Sequence, residues 1–132
     1  MKNNQLENQV REEIINYLKT NRPLDRVTEY EIDLSKYDEN TLKIIDYYLR
    51  NVDTSHKVMI FTRQVIEDIL GFTDISDDEM IKNFDELLTL FVKETYRDNN
   101  NPICSFYNIF SSFKTGEINR ETTFIIKGLQ ME

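Results

Sequence analysis

Apolar residues recur at helical spacing from Leu6 to Phe91, broken by short polar stretches, and change to alternation from Ile103 onward. Leu6, Val10, Ile14, Tyr17 and Leu18 make one stripe of a first helix, with Arg11, Glu12, Glu13 and Lys19 off it. The polar residues 1–5 before it are expected to fray. Asn21-Arg-Pro23 stops this helix, because a residue preceding proline is pushed out of the helical region. Leu24 to Asp33 carries Val27, Tyr30 and Ile32, a pattern too brief to assign but compatible with a short extended segment. From Asp38 a second helix follows, with Leu42, Ile45 and Leu49 on one face, widened by Ile44 and Tyr48. Ser35 and Asp38 are its candidate caps. The polar stretch NVDTSHK then returns the chain to the surface.

Val58 to Phe61 reads as a short strand. Thr62 is a plausible cap for a helix with Val65, Ile66, Ile69 and Leu70 inward, and Gly71 stands where a left-handed terminal residue belongs. Ser76-Asp-Asp-Glu79 has capping-box spacing, and the two aspartates add favourable charge to the first turn. Met80, Phe84, Leu87, Leu88 and Phe91 carry the stripe of the helix that follows. Arg97 to Pro102 (RDNNNP) is a turn signal. Ile103 to Lys114 predicts one long strand with Ile103, Ser105, Tyr107, Ile109, Ser111 and Phe113 on one face. Cys104, Phe106, Asn108, Phe110 and Ser112 fall on the other. Thr115 to Asn119 turns the chain, with the tip around Gly116, and Thr122 to Lys127 returns as the second strand of a hairpin.

The order is helix, helix, short strand, helix, helix, hairpin. It predicts an α+β fold of winged helix-turn-helix type: a helical core, an additional N-terminal helix and a C-terminal β-hairpin. Residues 1–132 make one domain, with 24–129 as the winged-helix region, and the Val58 strand joins the hairpin in a small antiparallel sheet. An α+β domain with no nucleic-acid heritage has the same secondary structure and stays open. The 132 residues suffice for a core, and apolar and charged fractions of 39% and 30% are those of a globular protein.

A formal net charge of -8 repels a phosphate backbone, so DNA binding is expected to be weak or secondary. The candidate contacts are Lys114 and Arg120 near the hairpin tip. With one cysteine, no apolar leader and no membrane-length apolar run, a soluble cytoplasmic chain is expected.

Reactive chemistry has little under it. His56, the single histidine, lies in a polar stretch beside Ser55 and reads as an exposed loop residue. Cys104 reads as a small packing residue. Three glycines form no phosphate loop, and no cluster of soft ligands presents itself. No catalytic residue, cofactor, metal or small-molecule substrate is therefore expected, and the chain reads as non-enzymatic. The aromatics say more: Phe106 and Phe110 on one side of the long strand, and Tyr107, Ile109 and Phe113 on the other, exceed what one covered face needs. The surplus points to a homodimer or protein-partner interface.

Leu42 to Leu49, Val58 to Phe61, Gln64 to Phe72, Met80 to Phe91, Phe110-Ser-Ser-Phe-Lys-Thr-Gly116 and Thr123-Phe-Ile-Ile126 together resemble the first winged-helix domain of the plasmid initiator replication proteins, the Rep_3 family. The resemblance spans roughly Val27 to Leu129 and rests on hydrophobic, degenerate motifs. It implies a dimerisation module with secondary DNA contact. Family members carry a second winged helix, so it also implies either a piece of a longer initiator or a free-standing relative. The second helix of the pair departs from a DNA reader: Asp77, Asp78, Asp85 and Glu86, with Glu79, stand against Lys82. Those acids open another reading, an acidic phage- or plasmid-encoded inhibitor of a nucleic-acid-binding host protein. Such a protein resembles anti-CRISPR proteins or DNA mimics in size and charge. It would present Asp77, Asp78, Asp85 and Glu86, merged with Asp33, Asp38 and Glu39, to a basic channel.

Overall fold

The computed structural model of the protein describes residues 4–21, 27–53 and 55–128. They form α1 (Asn4–Asn21), β1 (Val27–Ile32), α2 (Glu39–Asn51), β2 (Val58–Phe61), α3 (Arg63–Leu70), α4 (Asp77–Leu87), β3 (Phe91–Asp98), β4 (Asn101–Asn108), β5 (Phe110–Ile118) and β6 (Glu121–Gly128). The fold is mixed α+β, with two three-stranded antiparallel sheets ordered β1-β3-β4 and β2-β6-β5.

Local chemistry sets the helix ends. Asp38 accepts from the Thr41 amide at 2.8 Å, Thr62 from the Val65 amide at 3.3 Å, and Ser76 from the Glu79 amide at 3.2 Å. Each such cap contributes about 1 kcal/mol. Gly71 closes α3 with φ of 82°, its amide donating to Glu67 O. The stripes meet in one core. Val10, Ile14 and Leu18 of α1, Ile44, Ile45 and Tyr48 of α2, and Ile66 of α3 lie fully buried with Phe61, Phe84 and Phe124. At its centre Phe84 stacks on Phe124 and on Phe113, at 5.3 Å each, and meets Phe61 edge-on at 5.1 Å.

The β2-β6-β5 sheet is the one expected from the Val58 strand and the C-terminal hairpin. The other sheet was not foreseen. Val27 to Ile32, unassigned from the sequence, pairs as β1 with β3. The helix expected to run to Phe91 ends at Leu87. Its last turn closes with the amides of Leu88, Thr89 and Leu90 donating to Asp85, Glu86 and Leu87 at 3.1 Å, and Phe91 starts a strand. Leu87, Leu88 and Phe91 are spaced as a helical stripe, but buried Val92 and Glu94 alternate with less buried Lys93 and Thr95 from there on. The turn read over Arg97 to Pro102 is tighter than expected. Only Asn99 and Asn100 lie outside the strands, with φ of 51° and 70°, the left-handed pair of a tight hairpin.

The single long strand from Ile103 to Lys114 is two strands in different sheets. Buried Ile109 is the crossing point, its amide donating to Leu90 O at 3.1 Å, and a register shift between Phe110 and Ser112 follows. Gly116 is not the hairpin tip. It sits within β5 opposite Thr123, and the tip is Asn119-Arg120, with φ of 52° and 67°. Of the segment expected to fray, Asn4 and Gln5 belong to α1. Residues 1–3, the Arg22-Pro23 helix stop, residues 24–26, Thr54 and the expected boundary at Leu129 lie outside the described residues.

Candidate functional site

Antiparallel register sorts the β1-β3-β4 sheet into two faces. Ile32, Val92 and Tyr107 form one row, Tyr30, Glu94 and Ser105 the next, and these side chains turn toward the helices. Ile32 and Val92 join the core, while Tyr107 Oη donates to the buried Glu94 carboxylate at 2.7 Å. The opposite face holds the row Glu31, Lys93, Phe106, with Phe91 beside it and Thr95 and Cys104 beyond. Lys93 Nζ reaches Glu31 Oε2 at 3.3 Å, and this acid raises the lysine pKa. Phe106 is 64% exposed and Phe91 47%. Between them and the β1 edge runs an open groove of about 540 Å³, bordered by Arg11 of α1, which donates to Ile32 O at 3.4 Å.

The aromatic residues singled out from the sequence therefore divide. Phe106 is on the uncovered face. Tyr107 is half-buried and directed inward. Ile109 and Phe110 are core residues, at 0% and 1% exposure, with the Phe110 ring edge-on to Tyr48 at 4.8 Å. Phe113 is half-buried on Phe84. Ile109 and Phe110 thus leave no area for a partner, because the crossing between sheets interrupts the alternation on which their placement rested. Phe91, Lys93 and Glu31 were missed. The signal was present in the β-branched and aromatic residues of Phe91 to Tyr96 leading into paired asparagines, but the helical spacing of Leu87 and Phe91 masked it. Cys104, expected to pack inside, is exposed on this face, its Sγ 3.7 Å from Thr95 Oγ1.

The acidic residues also separate. Asp77 is held by Arg63 at 2.6 Å and accepts from Thr122 Oγ1 at 3.2 Å, which ties α4 to α3 and β6. Arg63 also donates to Ile75 O and lies 3.6 Å from Glu67. Glu86, at the other end of α4, accepts from Thr41 Oγ1 at 3.1 Å. Burial raises the pKa of the Tyr37 phenol, and the charges of Glu86 and Asp33 raise it further. Asp78 and Asp85 are exposed. Lys114 lies on the outer side of the β2-β6-β5 sheet and Arg120 in the tip turn.

Among the described residues one lysine is internal. Lys57 is 6% exposed, with φ of 60°. Its Nζ donates to Asn21 Oδ1 and lies 5.2 Å from the Tyr17 ring centre. Its carbonyl accepts from Tyr48 Oη and from the Gly128 amide, both at 2.7 Å. Burial lowers the Lys57 pKa and raises those of Tyr17 and Tyr48. This cluster pins the C-terminal end of α1 to α2 and β6. A side chain at Gly128 would run into the Tyr48 hydroxyl. His56 is exposed and bonds to Asp53 Oδ2 at 3.0 Å, which holds the Asp53 carboxyl below its ordinary pKa.

Among the described residues no group of three or more His, Cys, Asp and Glu side chains is placed to share a metal ion, and no helix is long and apolar enough to cross a membrane. Comparison with protein-family models, with curated proteins and with solved structures gives no match.

Proposed function

We propose that this chain is a non-enzymatic winged-helix module, related to the first domain of plasmid replication initiators, that works by association with a second copy of itself. The helix pair α3–α4, followed through β3–β4 by a hairpin that pairs with β2, supports the winged-helix assignment. On this reading β1 and the β3–β4 hairpin are additions that build a second sheet. The observation that carries the association is the pair Phe91 and Phe106, adjacent and exposed on a sheet face, with the Glu31–Lys93 pair beside them across β1 and β3. Large apolar rings on an uncovered face mark contact sites.

Three strands about 4.8 Å apart and about 25 Å long present a face of some 350 Å². Stable complexes bury about 800 Å² per partner, so the dimer is a dissociable one. Sedimentation velocity tests this. At salt high enough to screen ion pairs, the wild type is expected to dimerise with rising concentration and Phe106→Asp to stay monomeric with an unchanged circular dichroism spectrum. A wild type that is monomeric throughout would refute the proposal.

DNA contact is secondary on this reading, because the exposed side of α4 offers Asp78, Glu79 and Asp85 against Lys82. A salt titration of duplex binding is expected to give a shallow slope. The inhibitor reading draws less support: Glu86 does lie with Asp33 near Tyr37, but Asp77 is engaged by Arg63 and Thr122, and Lys82 shares the outward side with Asp78 and Asp85.

A further inference from the structure

The outer face of the β2-β6-β5 sheet is a second uncovered surface. Helices α3 and α4 pack on the inner side, where Phe61, Phe113, Phe124 and Ile126 point. Register places Val58, Ile60, Ile125, Lys127 and Lys114 on the other side. Ile60 is 51% exposed, and Ile118, farther along β5, 50%. A Cβ at Gly116, on the same side, would crowd Thr123 Oγ1 at 3.1 Å and touch Ile125 Cδ1 at 3.4 Å. Lys114 and Lys127 are diagonal neighbours across β5 and β6, about 7–8 Å apart. Among the described residues neither lies within ion-pair distance of a carboxylate, whereas Lys43, Arg50, Arg63 and Lys93 each have one. In a chain of net charge -8, two adjacent unpaired lysines on an apolar sheet are a local reversal of sign.

The complementary surface is on the same molecule. Helix α4 buries Met80, Asn83, Phe84 and Leu87, so Asp78, Ile81, Lys82 and Asp85 share its outward side, and Ile81 is 36% exposed. Asp78 and Asp85 are two turns apart, about 10.5 Å along the helix. Long lysine side chains span the difference from their own spacing. Because α4 packs on the inner side of the very sheet whose outer side carries the lysines, the two surfaces face away from each other. They cannot meet within one molecule.

We propose that the outer face of the β2-β6-β5 sheet docks the acidic outward side of α4 from a second copy of this chain, with Ile81 seated on Val58, Ile60 and Ile125, and Lys114 and Lys127 paired with Asp78 and Asp85. The two contacting surfaces face opposite ways on each molecule, so the contact is head-to-tail and does not close at two subunits. An eleven-residue helix is about 16 Å long and about 10 Å wide, a footprint far below the about 800 Å² of a stable complex. The association is therefore weak, and salt screens it.

The test is sedimentation velocity at low salt in the Phe106→Asp background, where the dimer contact proposed above is absent, so that the two contacts are read separately. The weight-average sedimentation coefficient is expected to keep rising with concentration past the dimer value and to fall back at high salt. Lys114→Glu/Lys127→Glu and Asp78→Lys/Asp85→Lys are each expected to abolish the rise, and the four-fold reversal to restore it. Because Asp78 lies in the first turn of α4, the single variant Asp85→Lys serves where the double variant unfolds. A concentration-independent monomer at low salt would overturn the proposal. So would a folded four-fold variant that does not reassemble, or a lysine reversal that removes duplex DNA binding and leaves assembly untouched.

Discussion

Phe84→Ala removes the ring on which the core converges. Phe84 is fully buried, its ring stacked on both Phe113 and Phe124, which also lie 6.5 Å from each other, and met edge-on by Phe61. Truncating a buried phenylalanine costs about 3–5 kcal/mol, transfer and cavity terms together, and aromatic contacts add about 0.5–1.5 kcal/mol per pair without summing fully. Phe113, half-buried in β5, has more room to follow into the gap than Phe61 and Phe124, which are fully buried in β2 and β6. The expected loss is therefore about 4 kcal/mol, a large share of the roughly 5–15 kcal/mol that holds a domain folded. In urea, with a slope of about 2 kcal/mol per molar, the unfolding midpoint should drop by about 2 M. Phe84→Leu keeps most of the volume and should cost about 1.5 kcal/mol. A drop below about 0.5 M for Phe84→Ala would refute the central role given to the ring stack. Equal losses for Leu and Ala would show that ring geometry, rather than volume, carries the energy.

Three further expectations follow from particular contacts. Arg120 holds φ of 67° at the β5–β6 tip, a conformation costing a residue with a Cβ about 1 kcal/mol, so Arg120→Gly should raise the thermal midpoint by a few degrees. Asp77→Ala removes the Arg63 and Thr122 contacts and a first-turn charge of α4, and chemical denaturation should report a loss of about 1 kcal/mol. The Tyr48 phenol is raised from its ordinary 10.0, so an unfolded chain releases that proton first and stability falls as pH rises above about 10. Burial of Lys57 acts with the opposite sign: the lysine pKa is lowered from 10.5, and stability rises with pH between the folded value and 10.5. Denaturation followed through the alkaline range should therefore show a shallower fall for Tyr48→Phe than for the wild type, and a missing rise for Lys57→Met.

The sequence by itself determined what depends on neighbours along the chain. The stripes of α1, α2 and α3, the caps at Asp38, Thr62 and Ser76, the left-handed stop at Gly71, and the pairing of Val58–Phe61 with the last strand all follow from spacing and local hydrogen bonding. So does the acidic outward side of α4. Tertiary structure alone decided the rest. Whether the chain at Phe91 continues a helix or opens a strand turned on β4, the other arm of the Asn99-Asn100 hairpin, and on β1, which lies far off in sequence, being there to accept the backbone bonds of β3. The alternation from Ile103 to Lys114 was correctly strand-like but could not reveal that Ile109 crosses between sheets, with a register shift that turns Phe110 inward out of its set. That crossing sends Ile109 and Phe110 into the core and leaves Phe106 outside with Phe91. Two opposed surfaces, one carrying Lys114 and Lys127 and the other Asp78 and Asp85, likewise exist only once α4 is packed against the sheet's other side. Periodicity records which residues seek burial, and long-range pairing decides which of them obtain it.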